Sequence, residues 1–122
     1  MPPHSMAWNE LATSDPAAAA QFYCSLFGWT TENFCPAPGM DYTMLKNGDK
    51  AFGGVMPVRE PGTPPYWINY VGVENLETMV AKATALGAKI LVPPMSIGEA
   101  GRIAILADPQ GAPVGLHEYK GE

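Results

Sequence analysis

The strongest constraint on this chain is that its element order is written twice. A polar residue, a helical run and a closing glycine occur at Asp15 and Gly28, then again at Glu74 and Gly87, an offset of 59 residues. Self-similarity at a fixed period points to a duplicated structural unit. In the first half, residues 6–13 read as a strand. Ser14-Asp15-Pro16 supplies a capping side chain and a proline at the first helical position. Ala19, Phe22, Tyr23 and Leu26 follow at spacings of three and four, one apolar stripe on a helix. Gly28 stands where a left-handed helix cap is easiest for glycine. Residues 29–34, 42–46 and 51–56 read as three strands, the last two joined by the hairpin signal Asn47-Gly48-Asp49.

The second half repeats this order. Residues 66–73 read as a strand. Asn75 caps a helix whose Leu76, Met79, Val80, Ala83 and Leu86 make another single stripe, and Gly87 closes it. Residues 89–92 read as a strand broken by Pro93-Pro94. Residues 102–107 and 112–119 read as two more, separated by the turn Asp108-Pro109-Gln110-Gly111. Between the halves, PVREPGTPP has no periodicity and reads as a linker. The organisation expected is one α+β domain over 1–122, with a βαβββ module at about 6–57, a linker at 58–65 and a second module at 66–120. Each module has a helix to cover one sheet face. The expectation is that the two sheets pair into a half-open β-barrel with a small-molecule cleft.

Composition narrows the partners. The chain carries seven Lys and Arg against twelve Asp and Glu, a net charge of −5. Phosphate binding needs clustered cations, so neither nucleic acid nor an anionic membrane is an expected partner. A cationic or aromatic small molecule is. No signal peptide and no transmembrane stretch is read. Cys24 and Cys35 lack CxxC spacing and read as reduced thiols of a soluble, cytoplasmic protein.

The segments WNELATSDPAAAAQFYCSLFGW (8–29), AFGGVMP (51–57), WINYVGVENLETMVAKATALGAKILVPP (67–94) and GRIAILADPQGAPVGLHE (101–118) resemble the vicinal oxygen chelate superfamily. That is the group of glyoxalase I, the bleomycin-resistance proteins and the extradiol dioxygenases. The resemblance implies paired βαβββ modules and a homodimer. In metal-dependent members it implies four inward side chains, from the first and fourth strand of each module, around a divalent ion. Matched by motif, those positions are Trp8, Gly54 or Met56, Ile68 and Gly115. Indole, thioether, alkyl and absent side chains offer a hard cation no oxygen or imidazole donor. No metal and no cofactor is expected.

Side chains alternate across a strand, so residues two apart share a face. If Trp8 faces inward, so does Glu10; Phe52, Gly54 and Met56 go together, as do Tyr66, Ile68 and Tyr70, and Gly115, His117 and Tyr119. The expected ligand-binding set is Trp8, Glu10, Phe52, Gly54, Met56, Ile68, Tyr70, Gly115 and His117. Glu10 and His117 are the catalytic candidates, an acid–base pair in which burial raises the carboxyl pKa and the carboxylate raises that of histidine. Each residue has a plainer role open to it. Trp8, Phe52 and Tyr70 can be core aromatics; Gly54 and Gly115 can serve sheet twist; Glu10 can sit at a solvated strand end or pair with a neighbouring subunit; His117 can be a half-exposed strand histidine; His4 can sit in a frayed terminus. The reading favoured is a glyoxalase/bleomycin-resistance-type protein that binds a small molecule without the usual metal tetrad. The alternatives are a lyase, isomerase or dioxygenase of the same superfamily, metal-dependent or metal-free, and an accessory domain whose cleft is vestigial.

Overall fold

A computed structural model describes residues 4–34, 42–58 and 60–119. Cys35 lies outside the described residues. Eight strands and two α-helices follow in the order β1 (Met6–Thr13), α1 (Pro16–Phe27), β2 (Thr30–Phe34), β3 (Tyr42–Asn47), β4 (Lys50–Pro57), β5 (Tyr66–Val73), α2 (Leu76–Ala85), β6 (Lys89–Ser96), β7 (Arg102–Ala107) and β8 (Pro113–Glu118). This is the α+β fold expected. The chain divides into two compact units. Trp8–Ile68 form one; Asn69 onward, joined by the residues up to Ala7, form the other. The division falls inside β1 and β5 because backbone bonds run from His4 N–H to the Gly72 carbonyl (2.9 Å) and from Gly72 N–H to the Ser5 carbonyl (3.1 Å). His4 is thus tied by its backbone rather than frayed.

In the Trp8–Ile68 unit the strand order is β2-β3-β4-β1, with β1 parallel to β4 and the other pairs antiparallel. The other unit has the same plan, β6-β7-β8-β5, with β5 parallel to β8. The duplication is therefore real at the level of topology. Asp15 Oδ1 accepts from Ala18 N–H (3.1 Å) to start α1, and Asn75 Oδ1 accepts from Thr78 N–H (3.0 Å) to start α2. The second cap is thus Asn75, one residue later than the Glu74 of the sequence match. Gly28 ends α1 at φ 77°, in the left-handed region.

Each helix covers one face of its own sheet. In the first unit Leu11, Leu45 and Val55 are buried against Ala19, Tyr23, Trp29 and Phe52. The α1 stripe splits: Ala19 and Tyr23 pack inward, while Phe22 and Leu26 stay more than half exposed, as does the neighbouring Phe27. In the second unit Val73, Leu76, Ala104, Leu106 and Leu116 are buried against Met79, Val80, Ala83 and Ile90. Leu86, read as part of that stripe, is exposed. It follows the last turn, past the point where the helix points its side chains at the sheet.

The strand read as broken at Pro93-Pro94 continues through both prolines to Ser96. Proline cannot donate to a ladder, but β6 ends its unit's strand order, where a donor facing away from β7 is dispensable. The pairing records the irregularity: its register with β7 shifts between Ile90 and Val92 and again between Val92 and Met95.

Candidate functional site

The ladder registers decide which residues meet. Glu10 stands opposite Gly54 across β1 and β4, and Met44 stands opposite Gly54 across β3 and β4. These three share the face away from the Leu11–Leu45–Val55 core. Tyr42, two residues before Met44, shares that face too. Trp8 Nε1–H donates to Tyr42 Oη (3.0 Å), and Tyr42 O–H donates to Glu10 Oε2 (3.0 Å). Glu10 is buried, with 8% of its surface exposed. A Cβ placed on Gly54 would lie 2.0 Å from Tyr42 Oη and 2.1 Å from ring carbon Cζ. The absent side chain of Gly54 is therefore the berth of the Tyr42 ring.

Tyr42 was not among the residues singled out from sequence. Alternation links residues along one strand, but nothing in a single sequence says that the face of β3 carrying Tyr42 is the face of β1 carrying Glu10. That link is the ladder register.

The same register corrects Phe52. It was grouped with Gly54 and Met56 by parity, yet it packs with the helix-side core, 4.5 Å ring to ring from Trp29. The β3–β4 register jumps from Leu45 opposite Gly53 to Lys46 opposite Ala51, so Phe52 is the extra residue of a bulge. A bulge breaks two-residue alternation and turns its side chain to the other face. Met56 keeps the expected parity, opposite Ala12.

A parallel arrangement occurs in the second unit. Tyr70 stands opposite Gly115, and a Cβ on Gly115 would lie 2.2 Å from ring carbon Cδ1 of Tyr70. Tyr70 is buried, and so is Ile68, the last residue of the first unit. His117, two residues beyond Gly115, stands opposite Gly72 and Ile103. Its Nε2 lies 2.7 Å from the Ala100 carbonyl oxygen, and its ring lies 4.0 Å from that of Tyr119. Burial pushes the His117 pKa below its ordinary value, and the Ala100 carbonyl opposes this more weakly. The direction is opposite to the rise expected from a carboxylate neighbour. At His117 burial is the larger influence on the ring, ahead of the Ala100 carbonyl.

A hollow of about 260 Å³ in the second unit is lined by Ser96, Gly98, Gly101, Arg102 and Glu118. Its charges are spent on one another. Arg102 Nη1–H and Nη2–H donate to both oxygens of Glu77, and Arg102 Nε–H donates to Glu118 Oε1 (2.9 Å). Glu118 Oε2 accepts from Leu76 N–H at the start of α2 (2.8 Å). The Arg102 guanidinium holds the Glu77 carboxyl down at about 2, and the Leu76 N–H and Arg102 together lower Glu118. Both folded pKa values lie below the ordinary 4.5, so the stabilisation is present above that pH and lost as pH falls towards 2. Glu77→Gln should therefore flatten the acid limb of stability in this window, read as unfolding midpoint against pH. An acid limb identical to wild type would show that the Glu77–Arg102 pair contributes nothing.

The positions matched to a superfamily metal site carry indole, alkyl and hydrogen, with Tyr42 and Tyr70 rings filling the space beside the two glycines. Among the described residues no group of three or more His, Cys, Asp or Glu could hold a metal ion. The side chains at those matched positions offer a divalent ion no oxygen or imidazole donor. Among them, too, no helix is long and apolar enough to cross a membrane.

A family model described as "Glyoxalase/Bleomycin resistance protein/Dioxygenase superfamily" matches residues 4–116. The chain is 40% identical over 108 residues to "Putative glyoxylase CFP32" of Mycobacterium tuberculosis, covering 88% of this chain and 41% of that protein. It is 29% identical over 124 residues to "Anthracycline biosynthesis protein DnrV" of Streptomyces peucetius, covering 90% and 45%. The chain thus spans less than half the length of these relatives. Among solved structures, hypothetical protein BH1468 of Bacillus halodurans aligns with a TM-score of 0.69 at 13% identity, over 98% of this chain and 96% of that one. At that identity the likeness is one of fold.

Proposed function

Because the chain belongs to the glyoxalase/bleomycin resistance protein/dioxygenase superfamily, we propose that it binds a small molecule without a resident metal, at the sheet face carrying Trp8, Glu10 and Tyr42. The observation that carries this reading is the Tyr42 ring seated on Gly54. A side chain that could ligate an ion from position 54 would collide with it. In place of an ion-binding corner the first unit has a hydrogen-bonded indole, phenol and carboxylate. An indole and a phenol offer flat apolar contact, and a buried carboxylate offers a charge-assisted acceptor. Their common complement is a planar molecule with a cationic or N–H donor group. The net charge of −5 favours the approach of such a ligand.

The test is titration with a planar aromatic cation, an acridinium dye, read by indole fluorescence in a Trp29→Phe, Trp67→Phe background. Glu10→Gln should weaken binding roughly ten- to a hundredfold, the worth of a hydrogen bond to a charged group. Added Zn²⁺ or Ni²⁺ should leave the affinity unchanged. Equal affinity in the Glu10→Gln variant would overturn the assignment of this face, and metal-dependent binding would overturn the metal-free reading.

A second reading, a metal-free isomerase or lyase, draws on the glyoxylase name of the 40% identical relative and on the buried Glu10 carboxylate as a proton acceptor. Solvent deuterium appearing in a released small α-hydroxy or α-keto compound with wild type, and not with Glu10→Gln, would favour it. No exchange with either protein would remove it.

A further inference from the structure

His117 carries an unspent lone pair. Its Nε2 faces the Ala100 carbonyl at 2.7 Å. A carbonyl oxygen only accepts, so the neutral ring keeps its proton on Nε2 and leaves Nδ1 as an acceptor. The ring also lies against the Tyr119 ring, 4.0 Å away at 46°. No described residue bonds Nδ1. Among the described residues, moreover, no buried side-chain nitrogen or oxygen lacks a hydrogen-bond partner. Nδ1 therefore reaches the surface of the protein.

The carbonyl that sets this tautomer is itself held. Ala100 ends a 3-10 turn, Gly98–Ala100, closed by bonds from Gly101 N–H to the Gly98 carbonyl (3.1 Å) and from Ile97 N–H to the Gly101 carbonyl (2.8 Å). Gly101 sits at φ 107°, a backbone state that any side chain would strain.

We infer that Nδ1 of His117 is a fixed acceptor site for the O–H or N–H donor of a bound molecule such as a phenol, an enol or a heteroaromatic N–H, with the Ala100 carbonyl as its positioning group. Burial favours the neutral ring, in which that lone pair exists. The Tyr119 ring covers one side of the imidazole, so a donor arrives in the ring plane, where the lone pair points. The inference rests on the small-molecule reading above for its occupant, though not for its tautomer.

The experiment is long-range ¹H–¹⁵N correlation on the 122-residue chain labelled at histidine. His4 is the other histidine of the chain, and His4→Gln assigns the pair. His117 should show a protonated Nε2 and an unprotonated Nδ1, and phenol should shift Nδ1 while anisole, which lacks the donor, leaves it in place. In His117→Gln the side-chain amide N–H can stand where Nε2 stands, keeping the Ala100 bond and removing the acceptor. Phenol affinity should then fall roughly tenfold, the worth of one hydrogen bond, with anisole binding unchanged. A protonated Nδ1, equal shifts with phenol and anisole, no shift at saturating phenol, or full phenol affinity in His117→Gln would each overturn the inference. A phenol shift at Nδ1 combined with cation binding indifferent to Glu10→Gln would uphold this acceptor and sink the proposed face on the first unit. The converse result would do the reverse.

Discussion

Gly54→Val is expected to lower stability by about 1–3 kcal/mol, the usual cost of forcing atoms into a packed site, and to disconnect Trp8 from Glu10. The strand conformation at residue 54 suits valine, so the cost is purely one of space. The first added carbon already falls 2.0 Å from Tyr42 Oη, and the ring must leave. Its departure removes the acceptor of Trp8 Nε1–H and a donor to Glu10. Tyr42→Ala opens the same berth from the other side. In the double variant the valine has room, so the two penalties should add to less than their sum by at least about 0.5 kcal/mol, the coupling expected of residues in contact. The measurement is a denaturant midpoint for the four proteins of the cycle, with tryptophan fluorescence as reporter. Strict additivity would mean that Tyr42 does not occupy the space over Gly54.

Leu76→Ala is expected to be costlier, about 2–5 kcal/mol. Leu76 has no exposed surface and packs with Val73, Ala104, Leu106 and Leu116. It is also the first residue of α2, and its N–H is bonded by Glu118. The side chain stitches the helix start to β5, β7 and β8, so its removal leaves a cavity that the sheet is too stiff to close. Leu86→Ala is the control. The same chemical change at a residue 70% exposed should stay within about 0.5 kcal/mol. Comparable losses at the two sites, read from denaturant midpoints, would contradict the packing described for α2.

Much of the architecture is legible in the chain itself. The caps at Asp15 and Asn75, the glycines at 28 and 87 and the turn at Asp108 act within a few residues of themselves, so local chemistry is enough to place them. The repeated order of strands and helices follows from these marks, and with it the α+β class. Legibility fails where one strand must be matched with another. Parity alone puts Phe52 beside Gly54, but a bulge turns it to the helix side. Pro93-Pro94 reads as a break until β6 is known to lie at the end of its ladder. Gly54 and Gly115 were open either as spacers or as places for sheet twist, and each is the seat of a tyrosine ring.

The amino-acid sequence alone determined the duplicated plan and the element order, because both depend on residue identity and near neighbours. Tertiary structure alone decided that Tyr42 joins Trp8 to Glu10 and that His117 answers to a backbone carbonyl rather than to a carboxylate. Those contacts span 32 and 34 residues around Tyr42 and 17 at His117. Over such separations the partner is chosen by strand register and loop path, which no local preference encodes.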